Sequence, residues 1–328
     1  MPVLEPQPYK PIFYLRNGHL QTMFPRFFVN IPRVEYVRER IDTPDGDFID
    51  LDASLNGARK AVLILHGLEG SSQRHYIKGM VHTFNRRGRD AFAMNYRSCS
   101  GEPNRTLRFY HQGATDDLHC VVEHILKKYR HEELALVGFS LGGNLILKYL
   151  GDGIFPVSDR ITKAAAVSVP CDLKSCSEKL GALSNIPYMQ YFLKSLHKKI
   201  KEKKRRFPGM IDDQGFEKIR SFREFDERYT APLHGFSDAL DYYEKCSSGA
   251  YLPGIDRPTL LLNALDDPFF PEACYPYEAA ANSDYFHLET PRWGGHVGFV
   301  IFHNNGEYWH ETRISQFICD NSEPPTRH

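Results

Sequence analysis

Short apolar runs alternate with helical segments between residues 61 and 169, and this alternation restricts the fold more than any other feature of the sequence. Four runs have the length and composition of buried strands: Ala61–Leu65, Asp90–Tyr96, Leu134–Val137 and Lys163–Val169. Three segments between them have helical patterns: Ser72–Arg87, where Ser72 is the expected cap, Ala114–Arg130 and Leu141–Leu150. Strands that alternate with helices predict an α/β fold with a mostly parallel central sheet flanked by helices.

The remaining segments fit around this sheet as one domain over residues 1–328. Asp45-Gly46 lies between the strand-like runs Val34–Ile41 and Phe48–Ala53, a pattern that favours an edge hairpin. After residue 170 the alternation stops, and residues from about 171 to 254 are polar and helical in pattern, which predicts an inserted helical cap. The sheet resumes with Thr259–Ala264 and Tyr285–Leu288, a helix is expected over Asn305–Cys319, and residues 1–31 are expected to form an arm packed on the core.

Composition excludes several classes of protein. Lys+Arg and Asp+Glu both number 41, so no global charge attracts nucleic acid. No run approaches the roughly 18 apolar residues of a membrane helix, and the first residues lack the apolar core of a secretory signal. The seven scattered cysteines favour free thiols in a reducing compartment, although a small disulfide loop between Cys171 and Cys176 stays open. The sequence therefore predicts a soluble, cytoplasmic protein.

The strongest local motif is Gly138-Phe139-Ser140-Leu141-Gly142, between an apolar strand and a helix. A strand–turn–helix with glycine on both sides of a serine is typical of a nucleophile elbow, because the tight turn leaves no room for side chains and lifts the hydroxyl clear of the sheet. Glycine and serine are common in this chain, so the motif alone also fits a structural turn. The flanking strand and helix favour Ser140 as a nucleophile.

A serine hydroxyl needs a base and an acid that orients the base, and on such a turn the chain order is serine, acid, histidine. Asp266-Asp267-Pro268 follows one late strand and Gly294-Gly295-His296 follows the next. We take His296 as the base because it follows the candidate serine and acid in the chain and lies in a loop with glycines. Asp267, directly before the proline, is the preferred acid, with Asp266 as the alternative.

The oxyanion of an acyl-transfer reaction is commonly bound by two backbone N–H groups. One belongs to the residue after the nucleophile, here Leu141, and the other to the loop after an earlier strand. That strand ends at His66-Gly67, so we expect the second N–H from Leu68. His66 itself is expected to support this loop.

These segments together resemble the α/β-hydrolase superfamily. Asn17-Gly18-His19-Leu20-Gln21-Thr22 and the stretch Asn95–Glu102 are similar to its YheT-type branch, which includes the plant embryogenesis-associated proteins. The resemblance runs from about Tyr9 to Cys319 and implies the α/β-hydrolase fold and a triad of Ser140, Asp267 and His296. Membrane-anchored members of this branch carry a transmembrane helix that this sequence does not show.

The resemblance implies a carboxylic-ester hydrolase that acts on small-molecule acyl esters through an acyl-enzyme. An acyltransferase or a thioesterase would use the same three residues, and a non-catalytic receptor could keep the fold, so these alternatives stay open. Metal and nucleotide motifs are absent from the sequence, and we expect no cofactor and no metal ion. The oligomeric state is not indicated.

The predicted cap contains two further features. Residues 194–206 are strongly basic, and they fit either a solvated helix face or a peripheral contact with an anionic substrate or membrane. Nearby apolar residues fit a hydrophobic acyl pocket or ordinary core packing: Leu183, Ile186, Tyr188, Met189, Tyr191 and Phe192.

Overall fold

A nine-stranded, mostly parallel sheet forms the centre of the computed structural model, which describes residues 3–28, 31–301 and 307–320. The strand order is β1-β9-β8-β7-β6-β4-β5-β3-β2, and only the pairings β2–β3 and β3–β5 are antiparallel. This confirms the predicted fold class. The strands are β1 (Val3–Leu4), β2 (Val37–Asp42), β3 (Phe48–Ser54), β4 (Lys60–Leu65), β5 (Asp90–Asn95), β6 (Glu133–Phe139), β7 (Ile161–Val167), β8 (Thr259–Leu262) and β9 (Phe286–Glu289).

Helices cover both faces of the sheet, since the central strands are apolar on both sides. On one face α3 (Thr115–Lys128) and α4 (Leu141–Gly151) pack their apolar sides onto the strands. On the other face α2 (His75–Arg86) and α11 (Trp309–Cys319) do the same. The helix predicted over 305–319 thus begins at Trp309, and residues 302–306 lie outside the described part of the chain.

A helical segment stands between β7 and β8, in the interval where the sequence predicts an inserted cap. Its centre is a separate apolar cluster that includes Leu193, Ile200 and Phe216. This cluster gives the segment a core of its own beside the sheet. Its helices are α5 (Leu173–Leu180), α6 (Ile186–Arg206), α7 (Phe222–Phe225), α8 (Ala231–His234) and α9 (Ala239–Cys246), and α10 (Tyr277–Ala281) follows β8.

The structure adds detail to the N-terminal arm and corrects the expected start of α2. The N-terminal arm contains a strand, because β1 pairs in parallel with β9 at the sheet edge, and it contains the helix α1 (Gly18–Phe28). Residues 1, 2, 29 and 30 of the predicted arm lie outside the described residues. Ser72 does not cap α2, which begins at His75. The Ser72 hydroxyl instead donates to Asp52 and its N–H donates to Asn95, so its polar groups tie the loop to the sheet.

All seven cysteines are free, so Cys171 and Cys176 form no disulfide, and Cys176 Sγ lies 3.1 Å from Cys274 Sγ. No described helix is both long enough and apolar enough to cross a bilayer. Location in the cytoplasm stays a prediction.

Arg97 joins three separate segments just after β5. Its side chain is 1% exposed and makes paired hydrogen bonds of 2.8 and 2.6 Å to Asp117 of α3. It also donates to Asp45 and Asp47 in the β2–β3 turn. Loss of one buried charge of such a cluster leaves the opposite charges uncompensated, which is strongly destabilising.

Arg97→Met is therefore expected to lower the free energy of unfolding by about 3–5 kcal/mol. Urea denaturation followed by circular dichroism measures this change. Arg59→Met is the control, because Arg59 pairs with Glu132 at the surface and its loss is expected to cost less than about 1 kcal/mol. Equal effects of the two substitutions would contradict the role given to Arg97.

Candidate active site

Ser140 stands on a strained turn between β6 and α4. Its backbone φ is 54°, a left-handed value that non-glycine residues rarely adopt. A Cβ on Gly142 would lie 2.7 Å from the Leu65 carbonyl oxygen, and one on Gly138 would lie 2.4 Å from the Gly142 oxygen, so glycine is required at both positions. The Ser140 N–H donates to the Val167 carbonyl at 2.8 Å, which fixes the turn to the neighbouring strand. The turn therefore presents the hydroxyl at the carboxyl edge of the parallel strands.

The three residues proposed from the sequence lie together in a chain of hydrogen bonds. His296 Nε2 is 3.0 Å from Ser140 Oγ, and His296 Nδ1 is 2.9 Å from Asp267 Oδ2. A carboxylate can only accept, so the Nδ1 hydrogen points to Asp267 and Nε2 is left to accept from the serine hydroxyl. This is the arrangement in which a histidine can take the proton of a serine.

Asp267 and Asp266 have different surroundings. The side chain of Asp267 is fully buried against the His296 ring, and its second oxygen accepts from the Phe269 N–H at 2.9 Å. Asp266 Oδ1 accepts from the Gly295 N–H at 2.8 Å, and among the described residues no hydrogen bond joins Asp266 to the ring. Burial raises the pKa of Asp266 to about 6. Asp266 thus supports the loop that carries His296, while Asp267 orients the ring.

The loop after β4 contains a backbone N–H group that has no acceptor in the described part of the chain, in a residue that lines the pocket at Ser140. The Gly67 N–H donates to the Tyr76 hydroxyl and the Glu69 N–H donates to the Tyr110 hydroxyl. The Leu68 N–H between them has no acceptor among the described residues. Leu68, Leu141 and Ser140 line the same pocket, and a helix N-terminus leaves the Leu141 N–H without an intrahelical partner. Both amides can therefore serve a negative oxygen beside Ser140.

His66 is a structural part of this loop. Its Nδ1 lies 2.7 Å from the Gly67 carbonyl oxygen, and its Nε2 accepts from the Tyr96 N–H at 3.3 Å. Complete burial lowers the pKa of His66 to about 3, so the ring stays neutral. Its two bonds join the loop to the end of β5.

The pocket at Ser140 has a cavity volume of about 120 Å³ and a mostly apolar wall, to which Phe192, Leu196, Phe269 and Phe270 contribute. Only Phe192 of the six apolar cap residues proposed from the sequence lines it. Leu183 and Ile186 are exposed instead, because Leu183 lies in the turn before α6 and Ile186 is the first residue of that helix. Polar side chains line other parts of the wall: His111, Gln112, Ser177, Asp226, Thr230, His234 and Tyr243.

A buried network joins the cap to the Leu68 loop. Lys199 of α6 forms a 2.8 Å ion pair with Glu69, and its Nζ is 3.0 Å from Cys99 Sγ. Glu69 also accepts from the Tyr110 and Ser195 hydroxyls at 2.6 and 2.5 Å. Burial opposes ionisation of Glu69, but Lys199 and these donors lower its pKa overall. Sequence reasoning missed this network because its members are far apart in the chain.

The basic stretch 194–206 is not uniformly a solvated face. Besides Lys199, Lys203 is buried and donates to Asn104 at 2.6 Å and to the Arg108 carbonyl oxygen at 3.3 Å. Burial lowers the pKa of Lys203 to about 8. Lys194, Lys198 and four later basic residues of the stretch face solvent. Two of the cations therefore hold the cap onto the core.

Helix α1 holds the loop that carries His296. The Thr22 hydroxyl accepts from the His296 N–H at 2.9 Å, and Gln21 Oε1 accepts from the Val300 N–H at 2.8 Å. Gly18 packs so closely that a Cβ there would lie 1.7 Å from the Asp266 carbonyl oxygen. Gly18, Gln21 and Thr22 belong to the motif at residues 17–22. In the sequence this motif indicated only a resemblance to a family and no structural role.

Across residues 3–28, 31–301 and 307–320, no group of three His, Cys, Asp or Glu side chains is placed to hold a metal ion.

Comparisons with known proteins agree with this architecture. A family model described as "alpha/beta hydrolase fold" matches residues 60–184. The Escherichia coli protein named "Putative esterase YheT" is 35% identical over 94% of this chain and 92% of its own length. Mouse "Phospholipase ABHD3" is 33% identical over 89% of this chain and 73% of its own. A solved esterase from Pyrococcus furiosus shares the fold, with a TM-score of 0.58 at 19% identity over 89% of this chain and 97% of its own.

Asp226 is a buried acid in the pocket wall. Its two oxygens accept from the Thr230 hydroxyl at 2.5 Å and the Tyr243 hydroxyl at 2.8 Å. Burial outweighs these bonds and raises the pKa of Asp226 from 3.8 to about 7. The folded protein therefore keeps this proton in a pH range where the unfolded chain has lost it.

Because the folded state binds more protons than the unfolded state between about pH 4 and pH 7, Asp226 lowers stability as the pH rises through this range. The Asp226→Asn variant has no ionisable group at this position, so its stability is not expected to fall for this reason as the pH rises. The difference in Tm between Asp226→Asn and wild type should grow from about pH 5 to about pH 8. Differential scanning fluorimetry measures it, with the exposed Asp159→Asn as control, and a constant difference would refute the assignment.

Proposed function

The chain belongs to the α/β-hydrolase family that includes YheT, and from this premise we propose that it is a serine hydrolase that cleaves carboxylic esters. One observation carries the proposal: Ser140, His296 and Asp267 form a hydrogen-bonded chain at the wall of a largely apolar pocket. Relatives named as an esterase, a phospholipase and a monoacylglycerol lipase support ester chemistry. Small-molecule acyl esters are the proposed substrates.

In the proposed reaction Ser140 Oγ attacks the acyl carbon while its proton moves to His296 Nε2. Asp267 holds the ring through Nδ1 and stabilises the positive charge that forms on it. The carbonyl oxygen becomes negative as the tetrahedral intermediate forms, and the Leu68 and Leu141 N–H groups bind it. These two amides are backbone groups at fixed positions, so they need no rearrangement as the charge develops.

Collapse of this intermediate breaks the bond to the alcohol, which leaves with the proton from His296. The acyl group stays on Ser140 as an ester. A water molecule then gives a proton to His296 and attacks the acyl carbon, and the acid is released as the proton returns to Ser140. The apolar wall with Phe192 and Leu196 fits the hydrocarbon part of such a substrate.

A fluorophosphonate probe tests for an activated serine without knowledge of the substrate. We expect the wild-type protein to be labelled and Ser140→Ala to lose labelling completely, because the probe reacts only with a serine whose proton has an acceptor. Ser184→Ala, an exposed serine of the cap, is the matched control and should be labelled as the wild type is. Labelling that persists in Ser140→Ala would exclude Ser140 as the nucleophile. A folded wild-type protein that is not labelled would contradict the proposed hydrolase activity.

The two neighbouring aspartates offer a matched pair for the role of the acid. Asp267→Asn is expected to lower kcat for a p-nitrophenyl ester by about 10⁴-fold, since an amide favours the wrong tautomer of His296. Asp266→Asn keeps an oxygen for the Gly295 N–H and should lose less than about tenfold. Initial rates at saturating ester measure both. The reverse order of effects would give the role to Asp266.

A further inference from the structure

Helix α1 packs its polar side inward and exposes its apolar side. Leu20, Met23 and Phe27 recur at spacings of three and four residues, so they form one stripe along the helix. Their exposed fractions are 50%, 36% and 65%. Gln21 is fully buried on the opposite side. A surface helix of a globular protein normally has the reverse arrangement.

The inverted arrangement has a physical cause in the candidate site. The buried side of α1 provides the oxygen atoms of Gln21 and Thr22 that fix the loop of His296, and Gly18 touches the Asp266 backbone there. These contacts require polar or small groups toward the core. The apolar stripe is not needed for packing, and its exposure to water is unfavourable unless a second surface covers it.

Other exposed apolar residues precede α1 and lie at the neighbouring start of the cap. The His19 ring stacks on Tyr188 of α6 with its Nδ1 3.2 Å from the hydroxyl, so α1 and the start of α6 are neighbours. Leu183 and Ile186, which begin this part of the cap, are 86% and 40% exposed. Phe13, just before α1, is 78% exposed. We call Phe13, Leu20, Met23, Phe27, Leu183 and Ile186 the α1 face.

Cations lie beside the α1 face. The Arg26 guanidinium stacks over the Tyr191 ring at 4.2 Å, which places a charge at the junction of the two helices. Lys194 and Lys198 follow Tyr191 at spacings of three and seven residues, on the same side of α6, and both are exposed. Within the described residues, neither lysine nor Arg26 forms an ion pair with a carboxylate. Exposed apolar groups flanked by free cations are the composition of helices that bind anionic lipid surfaces.

We propose that the α1 face docks the protein on an anionic lipid surface. A second copy of the chain is the less suitable occupant, because a two-fold contact would bring the like charges of Arg26, Lys194 and Lys198 from both copies into one interface. Docking would also set the pocket beside the lipid. Tyr188 packs on Phe269 at 4.9 Å between ring centroids, and Phe269 packs on His296 at 4.3 Å.

Co-sedimentation of the full chain with vesicles tests this proposal. We expect binding to phosphatidylcholine vesicles that contain about 30 mol% phosphatidylglycerol, and about tenfold weaker binding when the salt concentration rises from about 0.1 to 0.5 M. The triple variant Leu20→Gln, Met23→Gln, Phe27→Gln should bind at least about tenfold less tightly, because glutamine keeps the helix but removes the apolar surface. Thermal unfolding verifies that the variant is folded.

The control carries Leu55→Gln and Ile154→Gln, two exposed apolar residues that follow β3 and α4 at the sheet edge opposite Ser140. It should bind as the wild type does. Ser140→Ala should also bind normally, so the outcome is independent of the proposed catalysis. Unchanged binding by the triple variant, or no binding by the wild type, overturns the proposal. A wild-type dimer that the triple variant dissociates in analytical ultracentrifugation would assign the α1 face to a second copy instead.

Discussion

The strained turn at Ser140 determines what the surrounding structure must provide. A φ of 54° in a residue with a side chain costs free energy, so the turn must be fixed from both sides. The hydrogen bond from the Ser140 N–H to Val167 fixes it to β7, and the close approach of Gly142 to Leu65 fixes it to β4. Because β4 also leads into the Leu68 loop, the same packing positions the serine and the proposed oxyanion amides relative to each other.

The cap contributes to this geometry through charge rather than through apolar contact alone. Glu69 has a φ of 55° and lies directly after Leu68, and its carboxylate is held by Lys199 and Ser195 of α6. A buried ion pair contributes little net stability compared with apolar packing, but it fixes direction and distance. The position of the Leu68 N–H therefore depends on how α6 sits on the core, which links the cap to the edge of the sheet where Ser140 stands.

The sequence predicted the parts that depend on local patterns and chain order. The parallel sheet followed from alternating strands and helices. Ser140 stands directly after a strand, Asp267 lies in the loop that follows a strand, and His296 lies in a glycine-rich loop. Lys199 and Lys203 could not be assigned in the same way, because a basic amphipathic helix looks identical whether its cations meet water or buried carboxylates. Strand β1 has only two residues, too few for a periodic pattern, and its pairing depends on the distant β9.

The orientation of helix α1 could not be predicted from its amphipathic pattern. Its sequence contains an apolar stripe, which by itself predicts a helix packed with that stripe on the core. The structure reverses this because hydrogen bonding to the loop of His296 requires the polar side, and buried backbone N–H groups that lack an acceptor are costly. The need to satisfy the His296 and Val300 amides thus decides which side faces inward. It also means that any surface bound to the outer side of α1 contacts a helix that directly holds His296.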